Sequence, residues 1–133
     1  MQTSSGMNAS TAPAPAEKSP HVAPLSGAQL GALLAERGVT LIDFTAAWCG
    51  PCKQLAPVLA ELARDYDGRA RFVAVDVDHE PAVAQAFRVT AMPTMVLVRD
   101  GREVGRMVGS RARKVVAGAV DRALRGDVAI TGA

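Results

Sequence analysis

Apolar residues recur at helical spacing in separate stretches of the chain, with β-branched runs between them. Leu30, Leu33 and Leu34 lie three and four apart, and Ser26 with Gln29 has the S-x-x-Q spacing that satisfies free N–H groups at a helix start. This predicts a helix that opens at Ser26 and is capped by Gly38. Leu55, Val58, Leu59, Leu62 and Tyr66 trace one face of a second helix, kinked at Pro57 and ended by Asp67-Gly68. Val116, Val120 and Leu124 mark a last helix over roughly residues 111–124. Residues 39–44 and 71–77 are short, apolar and rich in β-branched side chains, as buried central strands are. Pro81 suits the first turn of a short helix running to about Phe87. Residues 94–98 and 103–108 flank Asp100-Gly101, the arrangement of a β-hairpin.

The predicted order is α-β-α-β-α-β-β-α. Strands joined through a helix pair in parallel with right-handed crossovers, and the hairpin adds antiparallel strands at one edge. The expected fold is α/β: a central mixed β-sheet with helices on both faces. The folded part starts at Leu25, giving one domain over residues 25–133. Residues 1–24 are rich in Ser, Thr, Ala and Pro and hold too little apolar surface to offset the entropy of ordering. They read as a disordered tail, with a tether or docking arm as the alternative.

Composition narrows the function by exclusion. About half of the 133 residues are hydrophobic, and the net charge is only +2. The basic stripe of a nucleic-acid binder is absent, although Arg111, Arg113 and Lys114 make the last helix mildly basic. No apolar run reaches the ~18 residues of a membrane span. Residues 1–24 contain no Leu, Ile, Phe, Trp or Tyr, so no secretory apolar region stands there and a cytoplasmic protein is expected. Nothing in the sequence signals oligomerisation, so a monomer is expected.

The chain has two cysteines, Cys49 and Cys52, between a strand and a helix. Residues three apart share a helix face, within the ~5–6 Å Cα separation that a disulfide prefers. A thiol at a helix start is stabilised as the thiolate by unpaired N–H groups and the helix dipole. Cys49 is therefore expected to attack, and Cys52, a turn deeper, to resolve the mixed disulfide. Pro51 fits a first turn because it has no N–H to leave unpaired. Three other readings compete. A structural zinc site needs four ligands, and only His21 in the tail and an isolated His79 accompany the pair. A structural bridge closing so short a loop removes little chain entropy. Buried inert thiols sit poorly beside Gly50 and Pro51 at a junction that argues for exposure.

The segment Asp43-Phe44-Thr45-Ala46-Ala47-Trp48-Cys49-Gly50-Pro51-Cys52-Lys53 closely resembles the active-site segment of the thioredoxin family. The resemblance continues at Ala56-Pro57, residues 75–78, residues 91–94, Asp100-Gly101 and Val108-Gly109, and covers roughly residues 25–126. It implies the thioredoxin fold. Asp43 matches the family's buried carboxylate, which would take a proton from Cys52; a carboxylate at the end of a core strand is expected to have a raised pKa. A strand-end Asp that caps nearby backbone is the alternative. Pro93 matches the family's cis-proline, implying a cis Met92–Pro93 bond that presents backbone to an extended substrate. Trp48, Val89, Met92 and Gly109 would then line a shallow apolar groove.

The chain departs from common family members at Thr45, Ala47 and Ala74. Where Ala74 stands, many have Lys beside the buried Asp. The first edge strand of the family is not visible in the pattern. The implied activity is reduction of protein disulfides by dithiol exchange, with no bound cofactor and with a thioredoxin reductase as electron donor. The alternatives are an exported oxidase, isomerase or cytochrome-maturation reductant of the same fold, or a non-catalytic binding module.

Overall fold

A computed structural model describes residues 21–127 and the backbone of residues 131–132. In chain order the elements are β1 (Val22–Pro24), α1 (Gly27–Ala35), β2 (Val39–Thr45), α2 (Gly50–Asp65), β3 (Ala70–Asp76), α3 (Pro81–Ala86), β4 (Thr94–Arg99), β5 (Arg102–Val108), α4 (Arg113–Arg125) and β6 (Thr131–Gly132). They form one mixed sheet in the order β1-β3-β2-β4-β5-β6. β1, β2 and β3 run parallel, whereas β4 is antiparallel to both β2 and β5.

β2 lies between β3 and β4, and all seven of its residues are buried. That is why its apolar residues Val39, Leu41, Ile42 and Phe44 serve both faces of the sheet instead of alternating with exposed polar ones. The two faces are covered separately. Leu41, Phe72, Met95, Leu97 and Met107 meet Leu55, Leu59, Val116 and Val120 of α2 and α4. On the other face Ile42, Phe44, Val75 and Val96 meet Leu33 of α1 and Val83 of α3. Alternate residues of each strand feed the two clusters, as a pleated strand requires.

The α/β class and the helices on both faces agree with the sequence reading. The order differs at its ends. β1 lies inside the stretch read as tail, and pairs Val22, Ala23 and Pro24 with Phe72, Val73 and Ala74. Three residues with a single buried side chain, Val22, carry no period that a pattern can reveal. What orders them is the ladder with β3, a tertiary partner. The rest of the expected tail, residues 1–20, lies outside the described residues. β6 pairs with β5 at the opposite edge.

The turns show local chemistry at work. Gln29 Oε1 accepts from the Ser26 N–H at 2.9 Å, so the expected cap pair forms. α1 nevertheless ends two residues early, with Glu36 as its cap. Gly38, at φ 98°, belongs to the following turn, where its N–H donates to Asp100 Oδ1 at 2.7 Å. Asp100 and Gly101 both have positive φ, 51° and 85°, as a tight hairpin turn demands.

Candidate active site

β2 ends at Thr45 and α2 begins at Gly50, so Ala46 to Cys49 form the bend that carries the cysteines. Cys49 is the N-cap of α2, and its Sγ accepts from the Cys52 N–H at 3.2 Å. Pro51 occupies the first turn, where no N–H is required. The two cysteines are joined in a disulfide with Cα atoms 5.3 Å apart. The placement expected from spacing is therefore present: one thiol at the open end of a helix, the other a turn inside it.

Their exposure is not as expected. Cys49 and Cys52 are each only 4% exposed, packed with Ala46 and against Val77 and Met92. Apolar neighbours from two loops close over a pair that Gly50 and Pro51, both exposed, had suggested was open. A Cβ placed on Gly50 would meet nothing within 4 Å among the described residues, so the helix start beside the disulfide is uncrowded at that position.

The Met92–Pro93 peptide bond is cis, as the resemblance implies. Pro93 is buried, and its carbonyl accepts from the Gly109 N–H at 2.8 Å, which ties this loop to the end of β5. Thr94 Oγ1 donates to the Ala91 carbonyl at 2.7 Å. Among the described residues, no backbone hydrogen bond engages the N–H or carbonyl of Met92.

Trp48 is 66% exposed, yet its indole N–H donates to Asp78 Oδ2 at 2.9 Å. The structure thus packs Met92 against the disulfide pair, leaves Trp48 next to it in the chain, and joins Pro93 to Gly109 in the loop that carries Met92. Val89 is half-buried against the α1–α3 core instead, so it supports the loop from beneath. Asp43 is buried on β2, with its backbone paired to Ala74 and Met95. Sequence reasoning left Val77 and Asp78 without roles. Both follow β3, and only the fold brings that turn to the cysteines. No group of acidic, His or Cys side chains among the described residues is arranged to hold a metal ion.

The family model for Thioredoxin matches residues 21–122. The chain belongs to the thioredoxin family. It is 45% identical over 89 residues to the thioredoxin of Staphylococcus saprophyticus, covering 67% of this chain and 86% of that one. The thioredoxin of Staphylococcus haemolyticus is 46% identical over the same length. A chain from a structural study of thiol resolution in yeast mitochondrial 1-Cys peroxiredoxin by the glutathione and thioredoxin systems superposes with a TM-score of 0.70. It is 35% identical, and the match covers 75% of this chain and 93% of that one. The protein is accordingly a thioredoxin-type thiol–disulfide oxidoreductase, a protein-disulfide reductase with a CxxC active site. This homology implies disulfide substrates and a reductase as electron donor. No described helix is long and apolar enough to cross a membrane.

Proposed function

We propose that Cys49 is the attacking thiolate, Cys52 the resolving thiol and Asp43 the proton acceptor in reduction of disulfides held in extended polypeptides. The observation that carries this reading is the Cys52 N–H directed at Cys49 Sγ across the first turn of α2. A donor aimed at that sulfur favours its anionic form, and the thiolate is the nucleophile.

In the forward reaction the Cys49 thiolate attacks one sulfur of the substrate disulfide. A mixed disulfide forms and one substrate thiolate leaves, taking a proton. The Cys52 thiol passes its proton to the Asp43 carboxylate and attacks Cys49 Sγ. The second substrate sulfur leaves as a thiolate and takes up the proton that Asp43 gives back, and the Cys49–Cys52 disulfide remains. Two electrons and two protons reach the substrate in total. The electrons return from a donor, which we take to be a thioredoxin reductase, in a reducing compartment such as the cytoplasm.

Among the described residues the Met92 N–H and carbonyl make no backbone hydrogen bond, and Met92 packs against the disulfide pair. An extended substrate segment can pair there as an added strand, with Trp48, Pro93 and Gly109 around it. A monomer suffices for this chemistry.

The test is the reduction potential of the Cys49–Cys52 pair, titrated against a dithiothreitol redox buffer. A value below the glutathione pool is expected. An oxidising value near those of disulfide-forming enzymes would replace this reading with an oxidase or isomerase.

A further inference from the structure

Residues 88–93 carry the cis-proline and Met92, and so form part of the proposed polypeptide seat. This segment leaves α3 through an unfavourable conformation: Arg88, which is not glycine, has a φ of 56°. Such backbone persists only where its surroundings hold it. Phe87 caps α3, and its ring packs on Phe44 of β2 with centroids 5.6 Å apart. The Phe87 carbonyl, at the negative end of α3, accepts from Arg106 Nη2 at 2.8 Å.

Arg106 lies on β5, opposite Val96. Its guanidinium is gripped by the Glu103 carboxylate through two bonds, Nε to Oε2 at 2.6 Å and Nη2 to Oε1 at 2.8 Å. These bonds push its pKa further above the ordinary arginine range, so the charge is fixed. A planar fork held at two points has little freedom left to lose when it makes a third bond. At the other end of the segment, the Gly109 N–H holds the Pro93 carbonyl. β5 and the residue that follows it therefore hold the segment at both ends: Arg106 at the Phe87 carbonyl and the Gly109 N–H at Pro93.

We propose that Arg106, locked by Glu103, is a positioning residue that sets residues 88–93 against the disulfide and so determines how well polypeptide substrates are seated. It does not touch the reacting sulfurs. The inference rests on the reading of Trp48, Met92 and Pro93 as the polypeptide seat. The consequence is selective. A small disulfide reagent needs only the thiols, whereas a polypeptide also needs the Met92 backbone in place.

The test compares insulin with the small aromatic disulfide DTNB as substrates. Arg106→Met keeps the apolar stem but removes every donor. Glu103→Gln keeps the shape and weakens the grip. For Arg106→Met the KM for insulin is expected to rise roughly fivefold, with kcat and the DTNB rate within about twofold of the parent. Amide exchange at Val89 and Gly109, whose N–H groups donate to the Ala84 carbonyl of α3 and to the Pro93 carbonyl, is expected to quicken. Glu103→Gln should shift the same quantities in the same direction by less, and it decides the matter if Arg106→Met does not fold. An unchanged KM for insulin, or equal losses on both substrates, overturns the proposal. Trp48→Ala and Met92→Ala serve as controls. If they raise the KM for insulin and the Arg106 and Glu103 variants do not, only the brace is wrong. If they too leave it unchanged, the seat itself is wrong and the brace falls with it.

Discussion

Asp43 on β2 and Ala74 on β3 stand opposite one another in the parallel ladder, in the sheet half covered by α2. A lysine at the second position would set a cation beside the carboxylate. This chain sets a methyl group there. A neighbouring cation favours the charged carboxylate. Ala74→Lys is therefore expected to move the acidic limb of the turnover profile to lower pH. A profile that stays in place would show that Asp43 does not govern it.

Asp43→Asn tests the proton acceptor directly. General-base assistance typically contributes about 100-fold or more, so resolution of the mixed disulfide should slow by roughly that factor. Attack by Cys49 should keep its rate. Rapid-mixing kinetics of the two steps separate them, and an equal slowing of both would point to a structural role.

The two cysteines should differ sharply when replaced singly. Cys49→Ser is expected to abolish turnover of any disulfide, because no attacking thiolate remains. Cys52→Ser should attack once and then accumulate a covalent adduct with the substrate, visible by mass spectrometry under non-reducing conditions. The opposite pattern would exchange their roles. Full activity of Cys49→Ser in a partner-dependent assay would favour a binding module.

Tyr66 links α2 to α4. Its hydroxyl donates to Asp121 Oδ1 at 2.5 Å and lies 3.3 Å from the Ala117 carbonyl. Burial, followed by that bond to Asp121, pushes the phenol up to about 12 from 10.0. The folded state thus holds the proton more tightly than the unfolded chain. The stabilisation is complete below pH 10.0 and is lost as pH rises toward about 12. Tyr66→Phe should cost about 1 kcal/mol at neutral pH and flatten that alkaline decline. Denaturant titrations at several pH values read both effects.

Gly101 admits no side chain. A Cβ there would lie 2.4 Å from the Leu34 carbonyl oxygen, at a φ of 85° that L-residues rarely adopt. Gly101→Ala should destabilise the fold by on the order of 2 kcal/mol or more, with the redox potential of the distant cysteines unchanged. Thermal melting and the potential can be measured on the same sample.

The sequence by itself determined what depends on neighbours along the chain. The buried runs of β2 and β3, the apolar stripes of α2 and α4 and the Asp100-Gly101 hairpin are each written within a dozen residues, because periodicity and turn chemistry are local. The placement of Cys49 and Cys52 about one helical turn apart is local too. Tertiary structure decided the remainder. β1 exists because β3 offers it a ladder. Cys49 and Cys52 are covered because Val77 and Met92 arrive from two other loops. Trp48 is oriented by Asp78, 30 residues away, and the Phe87 carbonyl is held by Arg106, 19 residues on. A hydrogen bond between side chain and distant partner leaves no period in a sequence, since neither residue type nor spacing is constrained until the sheet brings them together.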